Sequence, residues 1–289
     1  MTDIPTCDEF LALPDAEAAK VAPATMIYSN GGSRRRAALA GIDLASEEYP
    51  RWSQQQMCGL VETLLRHGVR HLFFPMLMPN QYNEVSPNYR ERIEEWAAWG
   101  LAGPDMRQLY ADRGWRARMI GAVDSPTLAK AVADLGEQPA DGRPTIWWMF
   151  ARSSEQPWEW ILAAARRSQA ASRAELAREL YGEDIPPATL FLSFGKPLVN
   201  HDLLPPLLVG DLQCYWTQQP GYVLSDRDMR LMLYDYAYLR PTWMADKTGR
   251  AELAAEHRAA WDHGPLLGLG QKLGPFWYPQ PWAMPGADD

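Results

Sequence analysis

Six short strand-like segments, most of them strongly apolar and all separated by segments with helical spacing, constrain the fold of this chain more than any other feature. They cover residues 24–28, 69–78, 115–120, 145–150, 189–194 and 211–217. Short runs that are apolar throughout are typical of strands buried on both faces, as in parallel sheets. Because strands alternate with helices, the sequence predicts an α/β fold with a mostly parallel central sheet flanked by helices.

The segments between these runs carry apolar residues at helical spacing. They predict helices over residues 47–67, 157–181, 225–239 and 251–263, and a further helix that starts near Asn88 and passes Trp99. No internal repeat and no long linker divides the chain. We therefore expect a single domain over residues 1–289, ending in an irregular tail rich in Gly, Pro and Trp over about 264–289.

Composition narrows the class of protein. The net charge of −8 argues against a nucleic-acid binder, whose surface would be basic. The three cysteines, an odd number at unrelated spacings, fit free thiols better than a disulfide framework. The first residues lack the basic and apolar regions of a signal peptide, and no apolar run has the length of a membrane span. We expect a cytoplasmic protein without stable membrane insertion.

An unusual cationic loop follows the first predicted strand. Gly31 and Gly32 allow the backbone to turn with its N–H groups facing inward, and Ser33, Arg34 and Arg35 add a hydroxyl and two guanidinium groups. These groups suit phosphate oxygens. The pattern is neither a Walker A loop nor GxGxxG. A turn with a solvated basic cluster is the alternative interpretation.

Four loops follow predicted strands, over residues 30–36, 79–89, 152–155 and 195–202. Ligands of open α/β sheets bind beyond the carboxyl ends of the strands, so we expect these loops to converge on one rim. The sequence lacks HExxH, GxSxG, DDxxD and DxDD motifs and any His/Cys metal spacing. The features that could support a reaction are therefore an anion-binding loop, polar aromatic residues and an apolar domain.

Several stretches carry a resemblance to a known family. They are residues 8–14 (DEFLALP), 31–35 (GGSRR), Glu48-Tyr49, Tyr89 and 233–240 (LYDYAYLR). With them the chain resembles the cis-prenyltransferase superfamily, in the diterpene synthase branch of tuberculosinol/isotuberculosinol synthase, also called tuberculosinyl adenosine transferase. The segment 233–240 is the most specific of these motifs, and the resemblance extends over nearly the whole chain.

The resemblance implies a homodimeric cis-prenyltransferase fold that ionises an allylic diphosphate instead of elongating a chain. The substrate would be a bicyclic diterpenyl diphosphate made by a class II diterpene cyclase. Water would then trap the carbocation and give a terpene alcohol, as in enzymes that make kolavelool. Transfer to a nucleoside, or a non-catalytic partner subunit, are the alternatives that the same family offers.

The resemblance also assigns site residues. It places Tyr49 in catalysis, with Asn30, Glu48 and Tyr89 as further candidates. The aspartate that heads the family's loop falls on Gly31, or on Asn30 if the alignment shifts by one. Neither residue is a carboxylate, so the metal ligands are unknown and a role for Mg²⁺ stays open. The same loss keeps the non-catalytic alternative in view.

A carbocation needs unreactive apolar walls, and aromatic faces stabilise its charge by roughly 0.5–2 kcal/mol each. Trp96 and Trp99, three apart on a predicted helix, and Trp148 on a predicted strand are the candidates for such a pocket. Adjacent strand residues point to opposite faces, so at most one of Trp147 and Trp148 can reach it. Ordinary core packing is the alternative for these residues. We expect water as the acceptor, because no purine site is recognisable.

Overall fold

The computed structural model describes residues 4–83, 87–122, 125–242, 246–264 and 266–280, with the backbone alone for 87–91. Eight strands lie in these ranges: β1 (Thr25–Ser29), β2 (His71–Leu77), β3 (Arg116–Ile120), β4 (Thr145–Phe150), β5 (Ala188–Phe194), β6 (Val209–Thr217), β7 (Gly270–Leu273) and β8 (Phe276–Pro279). The first six strands form one sheet in the order β3-β4-β2-β1-β5-β6. Every pairing in this sheet is parallel, which confirms the predicted fold class.

The described helices are α1 (Cys7–Leu11), α2 (Asp15–Ala18), α3 (Ser33–Leu39), α4 (Glu48–Arg66), α5 (Pro79–Tyr82), α6 (Pro87–Ala102), α7 (Pro104–Arg113), α8 (Pro126–Leu135), α9 (Gln156–Arg167), α10 (Arg173–Tyr181), α11 (Asp226–Tyr234), α12 (Arg250–Glu256) and α13 (Arg258–Asp262). A π-helical turn, Asp235–Leu239, continues α11. Among the residues the structure describes, none of the helices is both long and apolar enough to cross a bilayer.

Strand β1 is buried along its whole length because helices cover both faces of the sheet. Met26 and Tyr28 point into the larger hydrophobic cluster, with Leu64 of α4. Ile27, between them, points to the opposite face and packs in the second cluster with Tyr181 of α10. The period of two along the strand thus accounts for a core on each side of the sheet.

The predicted strands are confirmed within a few residues at their ends, and the long helix 47–67 corresponds to α4. The predicted helix 157–181 is two helices. Arg167 ends α9, and Ser172 begins α10 as its N-cap, with its hydroxyl accepting a hydrogen bond from the Glu175 amide at 3.2 Å. A serine that caps the backbone in this way favours a helix start over a helix interior.

The C-terminal segment differs from the irregular tail that the sequence predicts. Within the described part of residues 264–289, β7 and β8 form an antiparallel hairpin joined at Gly274 and Pro275. Gly274 has φ +59°, a backbone conformation that glycine adopts without steric cost and that tight hairpins use. The prediction was wrong here because a high content of Gly and Pro was read as irregularity.

Candidate active site

Two adjoining cavities lie at the carboxyl ends of the strands, next to β1. The sheet order changes direction at β1, which has β2 on one side and β5 on the other. In parallel sheets this switch point is where ligands bind. Segments after β1, β2 and β5 line the cavities, which confirms three of the four predicted loops. Residues 152–155 after β4 line neither cavity, although the Ser154 hydroxyl donates a hydrogen bond to Asp202 of the anion pocket. We call the two cavities the anion pocket and the apolar pocket.

The anion pocket is lined by cationic and small polar residues. Its polar lining comprises Ser29, Asn30, Gly31, Gly32, Ser33, Arg34, Arg35, Asn80, Gln81, Ser193, Lys196, Asn200 and Asp202. Three of these side chains are cationic and one, that of Asp202, is a carboxylate. The excess of positive charge and of hydrogen-bond donors suits a multiply charged anion such as a diphosphate.

The glycine loop after β1 is tightly enclosed. A Cβ on Gly31 would lie 2.8 Å from Cδ1 of Phe194, and a Cβ on Gly32 would lie 2.9 Å from Cβ of Pro220. Gly32 also has φ +76°, and the Gly221 amide donates a hydrogen bond of 2.8 Å to the Gly31 carbonyl. The loop is therefore closely packed against its neighbours, and a side chain at position 31 would require the Phe194 ring or the loop to move.

The arginines of the predicted loop 30–36 lie on a helix. Ser33 is the first residue of α3, which the sequence SRRRAAL favours because it contains no β-branched residue. Arg34 and Arg35 line the anion pocket from this helix, whereas Arg36 is not among its lining residues. The predicted set of anion-binding residues thus comes together, with two of them on the first turn of a helix.

Arg35 is held between two aromatic rings. Its guanidinium carbon lies 4.6 Å from the ring centroid of Phe194 and 4.9 Å from that of Phe276. Phe194 ends β5, and Phe276 begins the second strand of the C-terminal hairpin. Cation–π contacts on both faces restrict the guanidinium group and leave its edge to face an anion.

Tyr49 and Ser33 form a hydroxyl pair at the mouth of the apolar pocket. Their oxygens are 3.3 Å apart, and Tyr49 is 7% exposed. Burial raises the pKa of Tyr49, while the hydrogen bond with Ser33 and the nearby charge of Arg34 oppose this shift in part. The phenol is therefore neutral at physiological pH and is suited to donating a hydrogen bond. Glu48, its neighbour on α4, is exposed.

The apolar pocket extends inward from Tyr49 and contains about 730 Å³ of empty space, including the part open to solvent. Its apolar lining comprises Pro50, Met57, Phe74, Pro75, Met76, Leu77, Ile93, Trp96 and Ala97. The rings of Tyr49 and Trp96 meet edge to face with centroids 6.1 Å apart. Ser53, Gln54 and Tyr222 add polar groups to the same lining.

Of the three tryptophans predicted for this pocket, only Trp96 lines it. Trp99 is 37% exposed at the solvent side of α6, because three residues on a helix differ by about 60° in direction. Trp148 is fully buried behind Phe74, and its Nε1 donates a hydrogen bond of 3.2 Å to the hydroxyl of Tyr110. Trp99 and Trp148 thus lie outside the lining of the apolar pocket in this structure.

The two pockets share four lining residues, Asn30, Ser33, Pro75 and Gln81. The buried Oδ1 of Asn30 has no hydrogen-bond partner in the structure. An unpartnered acceptor of this kind is costly unless a ligand or water satisfies it. The fourth catalytic candidate, Tyr89, lies on α6, but its side chain is outside the described residues.

The carboxylates of the site do not form a metal-binding cluster. Among residues 4–83, 87–122, 125–242, 246–264 and 266–280, no group of three or more His, Cys, Asp or Glu side chains could hold an ion. Oδ2 of Asp202 accepts a hydrogen bond of 2.9 Å from Ser154, and Nε2 of His201 lies 3.1 Å from Oδ1. Asn30 offers one neutral oxygen. Asp202 and Asn30 thus offer one carboxylate and one amide oxygen at the anion pocket, fewer protein ligands than a Mg²⁺ ion would need without its substrate.

Sequence reasoning missed Phe194, Phe276, Ser53 and Tyr222. Ser53 could have been found, because it lies four residues after Tyr49 and so shares its helix face. Phe276 and Tyr222 reach the site from distant segments and carry no local signal.

Known proteins similar to this chain were found by sequence and by structure. No protein-family model matches the chain. The chain is 54% identical over 282 residues to (+)-kolavelool synthase of Herpetosiphon aurantiacus, covering 97% of both chains. It is 35% identical over 69 residues, 24% of its length, to tuberculosinyl adenosine transferase of Mycobacterium tuberculosis.

Two solved structures share the fold. Lavandulyl diphosphate synthase from Lavandula x intermedia, in complex with dimethylallyl diphosphate, matches with a TM-score of 0.57 at 16% identity, over 76% of this chain and 97% of that one. A probable undecaprenyl diphosphate synthase from Campylobacter jejuni matches with a TM-score of 0.52 at 13% identity, over 74% of this chain and 94% of that one.

Proposed function

The chain belongs to the branch of the cis-prenyltransferase superfamily that contains (+)-kolavelool synthase, and we propose that it ionises a bicyclic allylic diterpenyl diphosphate and adds water to give a terpene alcohol. The observation that carries this proposal is the junction of the anion pocket with the apolar pocket at Asn30 and Ser33. A substrate with a diphosphate head and a hydrocarbon body needs this pair of environments. Its reacting C–O bond would lie at the junction.

The diphosphate is held by Ser33, Arg34, Arg35 and Lys196, with backbone N–H groups of Gly31 and Gly32. Hydrogen bonds to charged groups contribute about 1.5–3 kcal/mol each. Their contribution grows in the transition state, because negative charge gathers on the departing oxygen as the C–O bond breaks. The cations therefore serve ionisation as well as binding.

Tyr49 acts at the breaking bond. Its neutral phenol donates a hydrogen bond to the leaving oxygen, and the electron pair of the C–O bond departs with the diphosphate. The allylic cation that remains lies in the apolar pocket, where the rings of Trp96 and Phe74 face it. Water forms the new C–O bond, and its proton passes to the released diphosphate, the strongest base present.

Mg²⁺ enters no step of this proposal, because the described residues contain no group of three or more His, Cys, Asp or Glu side chains that could hold an ion. Arg34, Arg35 and Lys196 supply the countercharge instead. A class II diterpene cyclase as the source of the substrate, and a homodimer as the assembly, stay proposals that follow from the family. Transfer to a nucleoside is the second candidate, and the local match to an adenosine transferase is the observation in its favour.

To test the proposal, the purified protein is incubated with geranylgeranyl diphosphate and with a panel of bicyclic diterpenyl diphosphates, in the presence and absence of adenosine. We expect release of one diphosphate per molecule of diterpene alcohol from a bicyclic substrate. Arg34→Ala and Arg35→Ala should each lower the rate of diphosphate release by at least about tenfold, the loss of roughly 1.4 kcal/mol of transition-state binding. Arg166→Ala, at an exposed position of α9, is the matched control. An adenosine adduct as the main product would favour the second candidate.

A further inference from the structure

The apolar pocket contains a second hydroxyl pair that ionisation does not use. The hydroxyl of Ser53 donates a hydrogen bond of 3.3 Å to the hydroxyl of Tyr222, and both residues line the pocket. Tyr222 is 8% exposed, so the pair lies within the wall and not at the surface. The Ser53 hydroxyl donates its hydrogen bond to Tyr222 and keeps lone pairs that can accept a further hydrogen bond inside the pocket.

The hydrogen bond between Ser53 and Tyr222 is not needed to hold the chain segment of Tyr222 in place. The segment before α11 that carries Tyr222 is already anchored next to it. The hydroxyl of Tyr28 donates a hydrogen bond of 3.0 Å to the Gly221 carbonyl, and the Gly221 amide donates one of 2.8 Å to the Gly31 carbonyl. The contact with Ser53 adds little to an attachment that has two buried hydrogen bonds.

The position of the pair along α4 indicates its use. Ser53 follows Tyr49 by four residues, so it lies on the same face of the helix, one turn or about 5.4 Å further along. Ser33 lines both pockets, whereas Ser53 and Tyr222 line the apolar pocket and are not among the lining residues of the anion pocket. An allylic cation carries its charge on two carbons, the one that held the diphosphate and the tertiary carbon two bonds further in.

We infer that Ser53 and Tyr222 hold the water that attacks the tertiary carbon of the allylic cation, so that the enzyme forms a tertiary alcohol. This inference rests on the proposed function. Because the Ser53 hydroxyl donates to Tyr222, its lone pairs can accept a hydrogen bond from water and aim the water oxygen at the cation. The water oxygen supplies both electrons of the new C–O bond, the double bond moves to the terminal carbon pair, and the water proton leaves to the diphosphate.

The chain offers a matched set of variants for the test. Ser53→Ala and Tyr222→Phe each remove one hydroxyl of the pair, while Ser53→Thr keeps a hydroxyl at position 53. Tyr28→Phe removes the neighbouring anchor of the same segment without altering a residue that lines the apolar pocket. For each variant, the rate of diphosphate release and the ratio of tertiary alcohol to primary alcohol and olefin are measured from the same reaction.

We expect Ser53→Ala and Tyr222→Phe to release diphosphate within about tenfold of the unaltered protein, because the anion pocket is intact. The share of tertiary alcohol should fall several-fold in both, and primary alcohol or olefin should rise. Ser53→Thr and Tyr28→Phe should keep the original product ratio. Thermal unfolding of each variant verifies that the fold is retained.

An unchanged product ratio in Ser53→Ala and Tyr222→Phe would overturn the inference, and so would an equal change in Tyr28→Phe, which would trace the effect to a loosened segment. In both cases the unaltered protein still converts its substrate, so the proposed function stands. If the unaltered protein released no diphosphate from any diterpenyl diphosphate, the proposed function itself would fall and the inference with it.

Discussion

The ring of Phe194 fills the space that a side chain at position 31 would need: a Cβ on Gly31 would lie 2.8 Å from its Cδ1. The loop aspartate that the family resemblance places at this position would therefore displace a residue of a neighbouring strand or the loop itself. The same ring stacks on Arg35 at 4.6 Å. Phe194 thus occupies the space beside Gly31 and also contacts the guanidinium group of Arg35.

This contact predicts a strong coupling between positions 31 and 194. Gly31→Ala should lower the rate of diphosphate release by at least about tenfold, because a contact under 3.0 Å forces the loop or the ring to move. In Gly31→Ala/Phe194→Ala the effect of the first substitution should largely disappear, and a double-mutant cycle measures this coupling. Gly59→Ala, where an added Cβ meets nothing within 4 Å, is the control. Strict additivity of the two substitutions would contradict the steric account.

The C-terminal hairpin should contribute to substrate binding through Phe276. A cation–π contact at an exposed site is worth about 0.5–1 kcal/mol, so Phe276→Ala should raise KM for the diphosphate substrate by roughly two- to fivefold. The value of kcat should change little, since Phe194 still restricts Arg35 from its other face. Tyr278→Ala, at an exposed aromatic residue of the same strand, is the comparison. Equal KM values for Phe276→Ala and the unaltered protein would show that the hairpin plays no part.

The sequence was sufficient for the sheet and for the residues next to β1. Mostly apolar runs identified β1, β2, β4 and β5, and the glycines and arginines after Tyr28 identified the anion pocket. What the sequence could not supply were contacts between distant segments. Nothing near Gly31 indicates that Phe194 lies against it, and nothing near Trp148 distinguishes a ring behind the pocket wall from one in it. Such distinctions depend on how helices pack on the sheet.

Tyr49 should behave as a neutral hydrogen-bond donor over a wide pH range. Its pKa is raised by burial above the ordinary value of about 10, so the proton is retained throughout the neutral and mildly alkaline range. Diphosphate release should therefore show no decline between pH 7 and 9 that is due to this residue. Tyr49→Phe should lower kcat by about 10²–10³, as expected for a donor to a developing oxyanion. A Tyr49→Phe rate within twofold of the original would assign the residue to packing.

The absence of a loop carboxylate should make the enzyme tolerant of metal removal. We expect diphosphate release by the unaltered protein to fall by less than about tenfold in excess EDTA, because the described cations of the anion pocket supply the countercharge. Asn30→Asp should be strongly inhibited under the same conditions, since its carboxylate repels the diphosphate, and Mg²⁺ should restore its activity. Complete loss of activity of the unaltered protein in EDTA would contradict this prediction.

The central claim is that one substrate spans both pockets, with its diphosphate on the arginine side of Ser33 and its hydrocarbon against Trp96. The most direct measurement is a crystal structure with a diterpenyl diphosphate whose bridging oxygen is replaced by sulfur, which slows ionisation. The account predicts diphosphate oxygens within hydrogen-bond distance of Ser33, Arg34 and Arg35, and the hydrocarbon in contact with Trp96 and Phe74. A diphosphate bound away from these arginines, or a hydrocarbon outside the apolar pocket, would contradict it.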